Sequence, residues 1–229
     1  MNTLSRIKRL ILLIVIVPLM ADAQDSLKGY ISINAGPAKP LGSYASQGNA
    51  VTGFNSNLSF GLPLFKYFGV SGKVDYCYNA FNINVFNSNP NLSANSSEYA
   101  NYYGNPTSLK SLRSNSIYTV LNFSGGLFAC VPVKKIIIDF RLLGGAVRST
   151  YPGAGIVENN LGSIGVPAAT ASAFSIDAGA GVRFTITSKF LVLINLDYLY
   201  ANPFYHTAGG TIAQNISLFT VTTGIGYQF

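Results

Sequence analysis

The sequence is poor in charged residues and in the residue types that build most catalytic and metal sites. Lys, Arg, Asp and Glu make up 10% of the 229 residues, and there are one histidine, His206, and two cysteines, Cys77 and Cys130. A single histidine without a neighbouring cluster of ligands disfavours a metal site, a cofactor site and a His-dependent catalytic centre. The 15 basic residues outnumber the 8 acidic ones but form no dense cluster, so nucleic acid is not expected as a partner.

Long apolar runs are missing too. The longest, residues 10–20, is interrupted by Pro18 and falls short of the roughly 20 residues that span a bilayer as a helix. It follows a basic segment and precedes the small residues of 21–23, which is the pattern of a signal peptide rather than a membrane anchor. We therefore predict an export signal over 1–23 and a mature domain over 24–229.

The mature chain is nevertheless apolar. Across the whole sequence 48% of the residues are apolar, including 14 Tyr and 15 Phe. Without a spanning helix, the remaining way to satisfy every backbone group within a bilayer is a closed β-barrel, in which apolar residues alternate with polar ones.

Eight segments alternate with a period of two, which is typical of strands. They cover residues 29–36, 54–62, 68–80, 117–129, 136–147, 174–184, 190–200 and 217–229. Short connections (63–67, 131–135, 185–189) strictly alternate with long ones (37–52, 81–116, 149–173, 201–216). This predicts an all-β fold, an eight-stranded antiparallel up-and-down transmembrane β-barrel with short periplasmic turns and long outer loops.

A soluble sandwich or lipocalin-like barrel is the alternative fold. Its solvent-facing side would need many charges, whereas the polar faces here consist mainly of Gly, Ser, Asn and Thr, which suit a crowded barrel interior.

Seven charged residues fall on the predicted inward faces. They are Lys73, Asp75, Asp139, Arg141, Asp177, Arg183 and Asp197. Because an eight-stranded barrel holds little more than side chains and buried charges must pair, these residues predict a polar plug, with an ion or proton path as the alternative. The strand map places Cys77 and Cys130 near opposite ends of neighbouring strands, about 30 Å apart, which excludes a disulfide.

Lysines mark all three short turns: Lys66, Lys134, Lys135 and Lys189. Each turn leads into an apolar strand, so a lysine there can lay its methylenes on the apolar surface and extend its ammonium group to lipid headgroups. We predict that these lysines occupy one rim of the barrel, opposite Tyr103, Glu158 and His206.

Two features of the long loops allow other functions. His206, with Ser149 and Glu158 as possible partners, could form the site of a lipid-A-modifying barrel enzyme, although nothing in the spacing requires it. The connection 82–115 contains nine asparagines interleaved with Tyr99, Tyr102 and Tyr103, a composition suited either to recognition or to a simple solvated loop.

The segments "GYISINAGPAKPLGSY" and "TVTTGIGYQF" resemble the small outer-membrane β-barrel family common in Bacteroidetes, called porin-like or PorT-like, with an architecture similar to the OmpA and OmpX barrels. The resemblance implies an outer-membrane location, contact with lipid and lipopolysaccharide, and a final strand whose Tyr227 and Phe229 are read by the barrel assembly machinery. It also admits a surface or secretion partner protein. We therefore expect a non-enzymatic barrel that presents its loops, with a small-solute channel as the alternative.

Overall fold

The computed structural model describes residues 27–82, 112–113, 117–134, 136–152, 154–158, 162–166, 168–207 and 210–229. The predicted export signal, Tyr103 and nearly all of the Asn-rich connection lie outside these residues. Among the described residues, no helix combines the length and apolar character needed to cross a membrane.

The described residues form thirteen strands and one short helix. In chain order they are β1 (Tyr30–Pro40), α1 (Gly42–Ser46), β2 (Gly53–Pro63), β3 (Phe68–Ala80), β4 (Leu112–Arg113), β5 (Ile117–Val133), β6 (Ile136–Tyr151), β7 (Ala154–Glu158), β8 (Gly162–Val166), β9 (Ala169–Thr185), β10 (Phe190–Ala201), β11 (Phe204–Thr207), β12 (Gly210–Ala213) and β13 (Ile216–Gln228).

Eight of these strands close into a barrel in the order β1-β13-β10-β9-β6-β5-β3-β2. Each barrel strand runs antiparallel to the next along the chain, and β1 pairs with β13, from Tyr30 opposite Gln228 to Pro40 opposite Leu218, to complete the closure. The predicted fold class, an eight-stranded antiparallel up-and-down barrel, is therefore confirmed. Both ends of the barrel chain and the three short turns lie at one end, and the long connections lie at the other.

The side-chain alternation also follows the prediction. On β10 the even-numbered residues from Phe190 to Tyr200 face outward, whereas Leu191, Leu193, Asn195 and the following odd-numbered residues are buried inside. The other strands repeat this arrangement, so large apolar side chains remain exposed around the whole barrel: Ile33, Leu58, Phe68, Phe123, Leu142, Phe174, Ile194 and Ile225 among others. The apolar face of this barrel points outward, the reverse of a soluble barrel.

Several predicted strand ends were wrong, mostly at the end that carries the long connections. β1 continues through Pro37 to Pro40, four residues past its predicted end at Gly36, and β9 begins at Ala169 rather than at Phe174. Between β9 and β6 the ladder continues to Tyr151 opposite Ala169, while the outward residues become polar. Strand pairing thus continues beyond the residue at which the apolar alternation stops, and the prediction depended on that alternation.

Smaller elements lie at the same end. Helix α1 occupies the first long connection, β11 and β12 form a hairpin in the fourth, and β4, β7 and β8 form a separate three-stranded sheet. At the opposite end the β5–β6 connection is reduced to residues 134–135, and Lys134 adopts a φ of 58°. A positive φ is the backbone conformation that tight two-residue hairpin turns require.

Candidate functional site

All seven of the predicted inward charges lie inside the barrel, where none is more than 8% exposed. They come from four strands, because Lys73 and Asp75 lie on β3, Asp139 and Arg141 on β6, Asp177 and Arg183 on β9, and Asp197 on β10. Their contacts divide them into two groups.

The larger group is centred on the ammonium of Lys73. Its Nζ lies 2.5 Å from Asp177 Oδ2, 3.3 Å from Asp75 Oδ1 and 3.5 Å from Asp197 Oδ2. Arg141 reaches the other oxygen of Asp197, with Nη2 donating to Oδ1 at 2.9 Å. One lysine therefore connects three strands across the interior, and we call these five residues the lysine-centred network.

The smaller group is a bidentate ion pair nearer the short-turn end. Arg183 donates from Nε to Asp139 Oδ2 at 2.6 Å and from Nη2 to Oδ1 at 2.7 Å. The guanidinium group lies 4.3 Å from the ring centroid of Tyr30, within the range of a cation–π contact. Two parallel charge-assisted bonds and an aromatic face fix this arginine in a single orientation.

Glycines on β9 provide the space for these charges. A Cβ at Gly179 would overlap Asp197 Oδ1, and a Cβ at Gly181 would come within 3.0 Å of Arg141 Nη1. Both positions face inward on the strand next to β10. These glycines therefore relieve crowding between the barrel wall and the side chains of Asp197 and Arg141.

Uncharged polar side chains fill the β1–β2–β3 side of the interior. Asn34 Nδ2 donates to Asn57 Oδ1 at 2.8 Å, and the hydroxyl groups of Ser32 and Ser59 are 2.8 Å apart. The series connects to the charges through Asn55 Nδ2, which donates to Asp75 Oδ1 at 3.3 Å. These bonds give buried serine and asparagine side chains the partners that a closed interior requires.

Aromatic side chains cover the interior at the long-connection end. Tyr44 of α1 is fully buried and packs edge-on against Tyr118, with ring centroids 5.2 Å apart, and Tyr118 packs against Tyr151 at 5.4 Å. Tyr151 in turn contacts Tyr205 of β11 at 5.5 Å. We call these four tyrosines the outer aromatic cluster; it joins the first and fourth long connections over the barrel mouth.

Hydrogen bonds fix this cluster in place. The Tyr118 hydroxyl donates to the carbonyl oxygen of Gly48 at 2.6 Å, and the hydroxyl groups of Tyr205 and Ser149 are 2.5 Å apart. Burial raises the pKa of Tyr205 to about 12, so this phenol stays protonated at physiological pH. The cluster was not predicted, because three of its four tyrosines fall in segments assigned to loops.

Of the three residues considered for a catalytic site, the two whose side chains the structure describes, Ser149 and His206, contact different partners. Ser149 is buried and bonded to Tyr205, whereas His206 is exposed on the hairpin, with Nδ1 3.0 Å from Thr211 Oγ1. Glu158 lies on β7, and its side chain is outside the described part of the structure. The adjacent residues Tyr205 and His206 thus point to opposite sides of the hairpin.

Both cysteines are free and buried. Cys77 lies opposite Val120 on β5, and Cys130 lies ten positions further along that same strand. At about 3.3 Å per residue the separation is on the order of 30 Å, as predicted from the strand map.

The turn lysines lie at the end of the barrel that carries the short turns. Lys66, Lys134 and Lys189 are exposed, and Lys66 Nζ lies 5.2 Å from the ring centroid of Tyr67. Lys135 is outside the described residues.

The last strand ends at the same rim. The Phe229 N–H donates to the Gly29 carbonyl oxygen at 2.9 Å, and its ring, which is 63% exposed, lies where a side chain at Gly29 would be. The Tyr227 ring packs edge-on against Phe190 at 6.0 Å. Both aromatic side chains belong to the outward-facing surface.

The sequence matches no protein-family model and no curated protein. Solved structures of outer-membrane barrels are similar in shape. Neisserial surface protein A (NspA) is 11% identical over 90% of this chain and 100% of its own, with a TM-score of 0.46. The attachment invasion locus protein Ail of Yersinia pestis is 16% identical over 89% and 100%, also at 0.46. The outer membrane protease OmpT of Escherichia coli is 7% identical over 91% and 99%, again at 0.46. At identities this low and TM-scores below 0.5, these similarities do not establish the function of this chain.

Proposed function

We propose that the protein is a non-enzymatic outer-membrane barrel that anchors its long connections and presents them at the cell surface. One observation carries the proposal: the barrel combines a continuous apolar exterior with an interior filled by buried, paired polar groups. The exterior suits lipid, and the filled interior leaves the outer connections as the parts that can meet a partner.

The height of the apolar surface supports a membrane location. On β10 the outward residues are apolar or aromatic without interruption from Phe190 to Tyr200. Ten steps of about 3.3 Å give about 33 Å along the strand, and a tilt of about 40° reduces this to about 25 Å, the height of an outer-membrane apolar band. Aromatic residues mark both limits, with Phe190 and Tyr227 at one and Tyr198 and Tyr200 at the other.

The interior supports a closed barrel over a small-solute channel. The lysine-centred network spans the middle, the Arg183–Asp139 pair lies towards the short turns, and the outer aromatic cluster covers the other mouth. An ion crossing this interior would have to separate several buried ion pairs.

We expect purified protein in planar bilayers to give no discrete conductance steps. The filled interior is the reason. The control is a porin reconstituted in the same way, which conducts over the same range of applied voltage. Stable steps that scale with the amount of this protein, and that disappear when the sample is heat-denatured before reconstitution, would instead establish the channel.

The turn lysines support the orientation. A lysine in each short turn, next to exposed aromatic residues such as Phe68 and Phe190, suits the periplasmic membrane interface. The aromatic end of the last strand, Tyr227 and Phe229, is proposed as the segment read by the barrel assembly machinery. Lipid and lipopolysaccharide then surround the barrel, and the outer connections serve adhesion, recognition or a surface assembly that includes a secretion partner.

Single-cysteine labelling tests this orientation. In a background with Cys77 and Cys130 replaced, a membrane-impermeant thiol reagent added to intact cells should modify His206→Cys and spare Lys189→Cys and Lys66→Cys, which are exposed as His206 is. All three should react after the cells are lysed. Labelling of the turn positions from outside would show that the orientation is the reverse of the proposed one. The long connections would then not be presented at the cell surface.

A further inference from the structure

The lysine-centred network carries an excess negative charge. The Arg183–Asp139 pair is neutral by itself, which leaves two cations, Lys73 and Arg141, facing three carboxylates, Asp75, Asp177 and Asp197. Every other lysine and arginine whose side chain the structure describes is on the outside or at a rim. An uncompensated charge that is buried inside the barrel is costly, so one further positive charge is needed.

The three carboxylates are not equally compensated. Asp75 receives hydrogen bonds from Asn55 Nδ2 at 3.3 Å and Asn122 Nδ2 at 3.2 Å in addition to its contact with Lys73. Asp197 contacts both cations. Asp177 contacts Lys73 alone, and its Oδ2 makes no hydrogen bond with favourable angles.

The neighbours of Asp177 across the sheet are apolar. Its partner on β6 is Leu143 and its partner on β10 is Leu199, and both leucine side chains are buried inside the barrel. By contrast, Asp75 lies between Asn57 and Asn122. Asp177 loses hydration between these leucines and gains one donor, the Lys73 ammonium, whereas Asp75 gains two amide donors as well, so of these two carboxylates Asp177 is the one whose neutral form is favoured.

A metal cation does not fit the missing charge. The Lys73 ammonium already occupies the position between the three carboxylates where a cation would sit, and the described residues contain no group of ligands suited to a metal ion. A proton requires no additional space. The titratable groups that face Asp177 are Lys73, Asp75 and Cys77 on β3 and Asp197 on β10, and Arg141 on β6 contacts Asp197.

We propose that Asp177 is the proton-binding residue of the barrel interior and holds a proton at neutral pH. The bound proton makes the network neutral, with Asp75 and Asp197 as the two ionised partners of Lys73 and Arg141. Because the unfolded chain releases this proton, folding takes it up, and the folded barrel is favoured in acid and loses stability as the pH rises.

Infrared spectroscopy of the full barrel in lipid vesicles at pH 7 tests the assignment directly. Wild-type protein should show the C=O stretch of a protonated carboxylic acid, with the shift expected on exchange into D₂O. Asp177→Asn, which is nearly isosteric and cannot ionise, should lack this band. The matched control is Asp139→Leu/Arg183→Met, which removes the neutral pair and leaves the lysine-centred network intact, so the band should remain. Absence of the band in wild type, or its persistence in Asp177→Asn, would overturn the proposal.

Equilibrium unfolding provides a second readout. Between the pKa of an unfolded aspartate, about 3.9, and the pH at which Asp177 in the barrel releases its proton, the unfolding equilibrium constant of wild type should rise by up to about tenfold per pH unit, and this component should be missing in Asp177→Asn. Identical pH dependence in the two proteins would count against Asp177. Should Asp177→Asn not fold, the carboxyl ¹³C shifts of aspartate-labelled wild-type barrel give the answer: all four interior carboxylates ionised at pH 7 would overturn the proposal.

Discussion

Lys73→Met should prevent stable folding of the barrel at neutral pH. Lys73 is the cation that contacts all three carboxylates of the network, and methionine has a similar length but no charge. Removing one partner of a buried ion pair costs about 3–5 kcal/mol, and here Asp75 and Asp197, the two ionised carboxylates of the network, lose a shared partner. Heat-modifiable mobility on gels, which separates folded from unfolded barrel, should show mostly unfolded protein at pH 7.

The exposed turn lysine is the matched control. Lys189→Met removes the same charge from a position at the rim, where surface substitutions usually change stability by no more than about 0.5 kcal/mol. Folding of Lys73→Met should improve as the pH falls, because protonated aspartates no longer require a cation. If Lys73→Met folds as well as wild type at neutral pH, the lysine-centred network does not hold the interior together.

Arg183→Met should destabilise the barrel by about 3–5 kcal/mol, because it leaves the Asp139 carboxylate buried without its two donors. The cation–π contact with Tyr30 is lost as well. Urea unfolding in lipid vesicles, followed by gel mobility, would measure the change as a shift of the midpoint with an unchanged slope.

A double variant distinguishes two causes of this destabilisation: the unpaired Asp139 carboxylate and the loss of the ion pair itself. Asp139→Leu/Arg183→Met replaces the pair with apolar side chains, and such replacements are often neutral or stabilising. We expect it to recover most of the stability that Arg183→Met loses. Equal losses in the single and double variants would mean that the pair itself, rather than the unpaired carboxylate, determines the stability.

The exterior and the strand order could be predicted because a barrel with an apolar exterior repeats one simple pattern. Every outward apolar face, from Ile31 and Ile33 on β1 to Ile225 and Tyr227 on β13, is visible as a period of two, and the alternation of short and long connections sets the strand directions. The strand ends could not be predicted so well. Beyond Phe174 the outward residues are Ser172 and Thr170, so the strand continues where the apolar pattern has stopped.

The membership of the interior could be predicted, but its pairing could not. Asp139 and Arg141 share one face of β6, yet Asp139 binds Arg183 on β9 and Arg141 binds Asp197 on β10. These partners depend on the relative register of the strands and on the lengths of the side chains across the barrel. The alternation of residues within one strand predicts neither the register between strands nor the reach of a side chain across the barrel.

The long β6–β9 ladder makes the barrel uneven in height at the end that carries the long connections. On the β1–β2 side the paired strands end within a residue of outward-facing Phe54, whereas β9 continues five residues beyond Phe174, roughly 16 Å further along the strand. In the orientation proposed above, a macromolecule arriving at the cell surface would therefore meet a rigid strand pair on one side of the barrel and lipid headgroups on the other. This difference in height fixes the direction from which a partner approaches, before any loop residue contacts it.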